Sequence, residues 1–237
     1  MMQKFWRYEI VLRPESAMSG WLGHLLHGAL FRQAEGADPA LSARLHSLNQ
    51  KPFSLHYQER EGLVLFYLNT WEPALARLIP GVFAAGTRVQ LSQTGADVVS
   101  CRCVQTMEHA AEPAQYQFAR LTFQSPACFR SGGQPLLFPE GRLLAESLCG
   151  RLRPADGGAP EAKALSESLR PTRYALKTRE ISYGAFHLTG FTGWCEYAVL
   201  SEPEQWARLL GAAPYTGVGY KTAQGMGAVR VELRETK

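Results

Sequence analysis

Apolar and polar residues along this chain follow two periods, one of about two residues and one of about 3.6. They alternate in an order that is used twice. Phe5 to Leu12 reads as a strand, followed by a helix from about Ser16 to Gln33. Asp38 and Pro39 open a second helix, because Asp accepts from the free N–H groups of a first turn and Pro has none to lose. Phe53, Leu55 and Tyr57 alternate with Ser54, His56 and Gln58, a half-buried strand. After the Glu61-Gly62 turn, Leu63 to Leu68 is apolar on both faces and is expected inside a sheet. Trp71 to Ile79 reads as a short helix ended by Pro80-Gly81. Extended segments are expected over Thr87 to Leu91 and Val98 to Met107.

The order then restarts. Tyr116 to Phe123 is a strand, and Glu140 to Arg153 a helix with Leu144, Leu148 and Leu152 on one stripe. Pro154 to Pro160 is a glycine- and proline-bearing loop, expected to be mobile. Tyr174–Ile181 and Tyr183–Val199 are strand regions, the second broken by Gly190 and Gly193. Glu202 to Leu210 is a short helix and Ala228 to Leu233 a final strand. Both halves read β-α-β-β-α-β. The expected fold is α+β: two tandem ferredoxin-like (RRM-like) domains with antiparallel sheets, 1–112 and 113–237, joined near residues 109–115.

Length and composition agree with that division. A chain of 237 residues, 46% hydrophobic, can bury one large core or two small ones. The five cysteines are odd in number and lack CxxC spacing, which argues against a disulfide framework and against zinc. No apolar run resembles a secretion signal or reaches the ~18 residues of a membrane span. A cytoplasmic protein without membrane contact, metal or cofactor is expected. Net charge is only +4, but Arg170, Arg173, Lys177 and Arg179 lie within ten residues without an acid among them. Such a stripe is either a solvated face or a set of phosphate contacts.

Between the last helix and the last strand lies Gly217-Val218-Gly219-Tyr220-Lys221-Thr222-Ala223-Gln224-Gly225-Met226-Gly227. Glycines allow positive φ and close approach, and exposed amides with a lysine suit an anion. Neither nucleotide motif fits. A P-loop needs Gly-Lys-Ser/Thr, but Tyr220 precedes Lys221; a dinucleotide fingerprint needs glycine where Thr222 stands, and a helix after it. A structural connection and an anion-holding loop both remain open.

His24 and His27 share a helix stripe with Phe31, and His24 is read as packing. His46 lies off the stripe formed by Leu41, Leu45 and Leu48, beside Ser42, Asn49 and Gln50, with Lys51 five residues on. An imidazole that titrates near neutrality and a nearby cation are what metal-free RNA cleavage requires. The imidazole moves the proton of a 2′-hydroxyl or of the leaving 5′-oxygen, and the cation meets the charge growing on the phosphate.

Three stretches carry a resemblance across nearly the whole chain. The first is Leu26-His27-Gly28-Ala29-Leu30 through Asp38-Pro39 to Leu45-His46 and Lys51-Pro52-Phe53-Ser54. The second is Leu121 to Pro126 with Phe138-Pro139. The third is Gly190-Phe191-Thr192-Gly193-Trp194 with Tyr215 through Gly227. Together they resemble the CRISPR-associated endoribonucleases of the RAMP superfamily, which cut precursor CRISPR RNA within its repeats.

That resemblance implies two ferredoxin-like domains and metal-independent cleavage by 2′-hydroxyl attack, leaving a 2′,3′-cyclic phosphate and a 5′-hydroxyl. It implies His46 as the catalytic histidine, Lys51 as its helper and His27 as a rival, with Phe31 standing where a tyrosine often completes the site. Tyr57 or His27 would have to replace that hydroxyl. It implies RNA contacts from the loop (Gly217, Gly219, Lys221, Gly225, Gly227), which the Arg170, Arg173, Lys177 and Arg179 stripe would extend. It implies CRISPR repeat RNA, or precursor CRISPR RNA, as the expected partner, effector-complex subunits as candidate further partners, and a monomer or homodimer as the expected state. The competing reading is a repeat-RNA-binding subunit of such a complex that does not cut. A weaker third is an anion- or nucleotide-binding enzyme using the glycine loop.

Overall fold

A computed structural model describes residues 3–108, 116–152, 162–183 and 186–234. The join expected near 109–115 and the loop at 154–160 lie outside the described residues. The chain folds as two compact units. One comprises Gln3–Glu108 together with Ala223–Gly225; the other takes the remaining described residues, up to Thr222 and from Met226.

The first unit runs β1 (Lys4–Pro14), α1 (Gly23–Ala37), α2 (Pro39–Ser47), β2 (Phe53–Arg60), β3 (Leu63–Thr70), α3 (Pro73–Val82), β4 (Arg88–Leu91) and β5 (Thr94–Glu108). Its described strands pair antiparallel in the order β2-β3-β1-β5-β4. Without β4 this is the ferredoxin-like order, with β3 held between two neighbours as its apolar run predicted. Ile10, Leu12, Phe66 and Leu68 from the sheet meet Leu26, Leu30, Leu75 and Ile79 from the helices in one core.

Two helix boundaries differ from the sequence reading. Helix α1 starts at Gly23 and not near Ser16, because Gly20 takes φ +77°, which a right-handed helix excludes. Helix α3 runs from Pro73 to Val82 with Pro80 inside it. Proline brings no N–H for the carbonyl four residues back. That carbonyl belongs to Ala76, and the buried hydroxyl of Tyr8 donates to it at 2.8 Å. Asp38 caps α2 as expected, accepting from the Leu41 amide at 2.9 Å.

The second unit runs β6 (Phe118–Ala127), β7 (Phe129–Ser131), β8 (Gln134–Leu136), α4 (Gly141–Arg151), α5 (Ala162–Leu165), β9 (Leu169–Ser182), β10 (His187–Val199), α6 (Pro203–Thr216), a 3-10 turn (Thr222–Gln224) and β11 (Val229–Arg234). The sheet order β11-β6-β10-β9 is again ferredoxin-like and antiparallel. β7 and β8 form a separate small hairpin that the sequence pattern did not show. Strand β10 begins at His187 and not at Tyr183. It passes through Gly190 and Gly193 unbroken, with a register shift against β6 between Phe191 and Gly193. Among the described residues no helix is long and apolar enough to cross a membrane.

Candidate functional site

Helices α1 and α2 bring the two candidate histidines to one aromatic row. His27 lies 4.8 Å from Phe31, ring centroid to ring centroid, and Phe31 lies 3.8 Å from His46. Phe53, at the start of β2, closes the row at 5.8 Å from His27 and 5.9 Å from Phe31. His46 is exposed, in the last turn of α2; His27 is half-buried. Phe31 therefore sits between the rings that sequence reasoning treated as rivals.

Lys51 is close to His46 but not directed at open solvent. Its Nζ donates to the carbonyls of His46 (2.9 Å) and Leu48 (2.6 Å), tying off the end of α2 where free carbonyls collect. Burial lowers its pKa from the usual lysine value. The Tyr57 hydroxyl accepts from the Leu22 amide at 3.0 Å, at the entrance to α1.

The loop residues Ala223–Gly225 belong to this same unit. The Trp21 indole N–H donates to the Gln224 carbonyl at 2.9 Å, and Nδ1 of His27 lies 2.9 Å from the Ala223 carbonyl. A carbonyl only accepts, so Nδ1 carries the proton and the neutral ring keeps its lone pair on Nε2. Gly23 makes this approach possible, since a Cβ there would lie 1.9 Å from the Gln224 oxygen. Ala223 acts through its backbone, and no side-chain signal could have marked it in the sequence.

The rest of the loop is in the second unit, and most of its amides are already used. Val218 donates to Gly227, Gly219 to the Ser147 hydroxyl, Tyr220 to Cys128, Met226 to Lys221 and Gly227 to Pro126, at 2.7–3.3 Å. The glycines are required by these internal approaches. Gly219, at φ +81°, would place a Cβ 2.3 Å from the Cys128 carbonyl, and Gly227 one 1.9 Å from that of Val218. The amides of 218–220, 226 and 227 are therefore not an open cradle for an anion, as the glycine pattern alone suggested. The guanidinium of Arg151 donates to the Gly219 carbonyl, and burial pushes its pKa down to about 10. Lys221 lies over three aromatic rings, at 5.0 Å from Tyr183, 5.6 Å from Phe186 and 5.3 Å from Tyr220.

Arg170, Arg173, Lys177 and Arg179 are exposed along β9, the outer strand of the sheet. They stand opposite Ala198, Glu196, Thr192 and Gly190 of β10. Those partners alternate with the buried Tyr197, Cys195 and Phe191, so all four cations share the face turned away from the core. A bulge at Thr172 makes this possible. Without its extra residue Arg170 would fall on the opposite face. Glu196 answers part of the charge, lying 3.3 Å from Arg120, 3.7 Å from Arg173 and 3.9 Å from Arg234. Among the described residues no group of three His, Cys, Asp or Glu side chains is placed to hold a metal ion.

A family model for the CRISPR-associated endoribonuclease Cas6 matches residues 121–229, from β6 through the glycine loop to β11. Over that span, just under half of its length, the chain resembles the CRISPR-associated endoribonucleases of the Cas6 family. It is 27% identical over 236 residues to the CRISPR-associated endoribonuclease Cas6 of Mycobacterium tuberculosis, covering 92% of this chain and 74% of that one. Among solved structures it is similar to the product complex of the Cas6 protein TTHA0078, with TM-score 0.80 and 27% identity over 97% of this chain and 99% of that one. Thermus thermophilus Cas6 TTHB231, also solved as a product complex, shares the fold at TM-score 0.82 and 21% identity, covering 97% of this chain and 100% of that one. The tandem ferredoxin-like architecture is thus shared with these Cas6 structures.

Proposed function

We propose that this chain cuts precursor CRISPR RNA within its repeats, by attack of a 2′-hydroxyl on the adjacent phosphate and without a metal ion. The products are a 2′,3′-cyclic phosphate and a 5′-hydroxyl. The observation that carries the reading is the row His27–Phe31–His46 in a chain similar to a family of endoribonucleases. Transesterification moves two protons, one off the 2′-oxygen and one onto the leaving 5′-oxygen, and two imidazoles can share that work. His27, protonated on Nδ1 by its bond to Ala223, keeps Nε2 as the basic nitrogen. His46, exposed at the end of α2, serves as the partner acid or base. The Lys51 ammonium adds positive charge beside His46 while anchoring the backbone that carries it. Phe31 supplies a ring surface and no hydroxyl.

A second reading, an RNA-binding subunit that does not cut, draws on one observation: Lys51 already donates to two carbonyls. Incubation with cognate repeat RNA in excess EDTA separates the two. Cleavage that ends when the scissile nucleotide carries a 2′-deoxy sugar, with a cyclic phosphate on the upstream product, is the expected result. RNA that stays bound and intact would sink the catalytic reading and favour the second.

A further inference from the structure

The glycine loop contains five residues with positive φ, and four of them are glycines. The fifth is Lys221, at φ +55°. A side chain is disfavoured in that conformation, and glycine would adopt it without cost. The lysine side chain is therefore kept for what it contacts. Its ammonium lies against Tyr183, Phe186 and Tyr220, and on Tyr220 a second cation, Arg130, lies 4.9 Å from the ring centre. Tyr183 and Phe186 are parallel to within 4°, with centroids 4.9 Å apart. Tyr183 is 9% exposed but Phe186 is 46% exposed, so one face of the Phe186 ring is covered and the other is open.

An open aromatic face beside one cation, with a second cation on the Tyr220 ring that the first also contacts, matches the chemistry of a single nucleotide, a flat base with a phosphate at its side. We propose that Phe186, Lys221, Tyr220 and Arg130 form a clamp for one unpaired nucleotide of the RNA. The base stacks on the open face of Phe186, and Lys221 and Arg130 meet the adjoining phosphate. The base must be unpaired, because a nucleotide within a duplex has both faces covered by its neighbours. This rests on the reading of the chain as an RNA-cutting protein and assigns it a binding subsite in the second unit. The rings do two jobs: they hold the ammonium in place, and they turn a strained loop position into a fixed point of contact.

The test is a binding titration on the full chain with repeat RNA, paired with an abasic scan of the unpaired positions. Phe186→Ala should weaken binding roughly 5- to 100-fold, the value of one base–aromatic stack, and Phe186→Trp should keep it. At one RNA position an abasic substitution should weaken wild type by a similar factor yet cost Phe186→Ala nothing further. Lys221→Gly should melt at the same or a higher temperature, because the strain is relieved, but bind less tightly. Its salt dependence should be shallower by about 0.7 in log–log slope, one phosphate on a single strand.

Affinity unchanged in Phe186→Ala and Lys221→Gly would overturn the clamp, as would a Lys221→Gly protein that is destabilised and loses affinity only through unfolding. Wild type that cuts RNA while Phe186→Ala binds normally removes this inference alone. Wild type that binds without cutting, with Phe186→Ala weakened, keeps the clamp and removes the catalytic reading. Wild type that binds no RNA removes both.

Discussion

Nδ1 of His27 lies 2.9 Å from the backbone carbonyl of Ala223, a residue 196 positions further along the chain. The bond selects the tautomer of the imidazole and aims Nε2, so a glycine-rich connection near the C-terminus takes part in orienting a side chain of the first helix. This makes the loop a positioning element in addition to any contact it has with RNA.

Gly23→Ala tests that role. A Cβ there would meet the Gln224 carbonyl at 1.9 Å and the Trp21 indole nitrogen at 2.7 Å, forcing residues 223–225 away from α1. If His27 is catalytic, single-turnover cleavage should fall by about 100-fold, the usual result of an ångström-scale misplacement. RNA affinity should change little. An unchanged rate would show that the Ala223 bond is only a packing contact.

Removing either imidazole tests the division of labour. His46→Ala and His27→Ala should each cost two to four orders of magnitude in cleavage rate, roughly the worth of one general acid or base. The double variant should be little slower than the worse single one, because the two act in one step. A normal rate in His46→Ala would assign the chemistry to His27, and the reverse result to His46.

Tyr8 and Pro80 give a test of the fold that is independent of RNA. Tyr8→Phe removes the donor to the Ala76 carbonyl and should cost about 1–3 kcal/mol, the penalty of an unsatisfied buried acceptor. In that background Pro80→Ala supplies a helical N–H to the same carbonyl and should recover most of the loss. Denaturant titration of the four proteins measures both. A neutral Tyr8→Phe would mean that the carbonyl has no need of the hydroxyl.

The same pair shows where sequence reasoning stops. The two ferredoxin-like units were legible because each strand carries its own alternation and each helix its own stripe, and these local patterns need no distant partner. Proline normally ends a helix, so Pro80 was read as the end of one; the donor that lets α3 continue comes from Tyr8, on another element. Gly20 was hidden within a helical pattern because nothing in its neighbours shows a positive φ. His46 and Lys51 were legible as a motif and are indeed adjacent, but the Lys51 bonds to the His46 and Leu48 carbonyls carry no sequence signature. The Ala223 carbonyl was invisible for the same reason. The loop glycines were legible as close approach, but the partner they approach is the chain itself: Cys128, Val218 and their neighbours.

His56 should make stability fall in mild acid. It stacks on Tyr67, its Nδ1 has no hydrogen-bond partner among the described residues, and burial together with Arg7 lowers its pKa from 6.5. Below 6.5 the unfolded chain takes up a proton that the folded chain refuses, so stability drops as pH falls from there towards the lowered folded value, and then levels off. His56→Phe should flatten this part of the curve in thermal melts between neutral and mildly acidic pH. A variant that keeps the full slope would place the acid sensitivity elsewhere.

The β9 cations should differ in what they contribute, and the difference follows from Glu196. Lys177 and Arg179 face outward opposite Thr192 and Gly190, with no carboxylate across the strand. Lys177→Gln and Arg179→Gln should each weaken RNA binding and lower the log–log salt slope by about 0.7–0.9, one phosphate contact apiece. Arg173 is already 3.7 Å from Glu196, so Arg173→Gln should lower the slope less. Glu196→Gln should then strengthen binding, because Arg120, Arg173 and Arg234 lose the carboxylate they share. Deleting Thr172 removes the bulge and turns Arg170 to the opposite face, so that variant should lose stability as well as affinity. Equal slopes for all of these proteins would show the stripe to be a solvated face and not a track for phosphates.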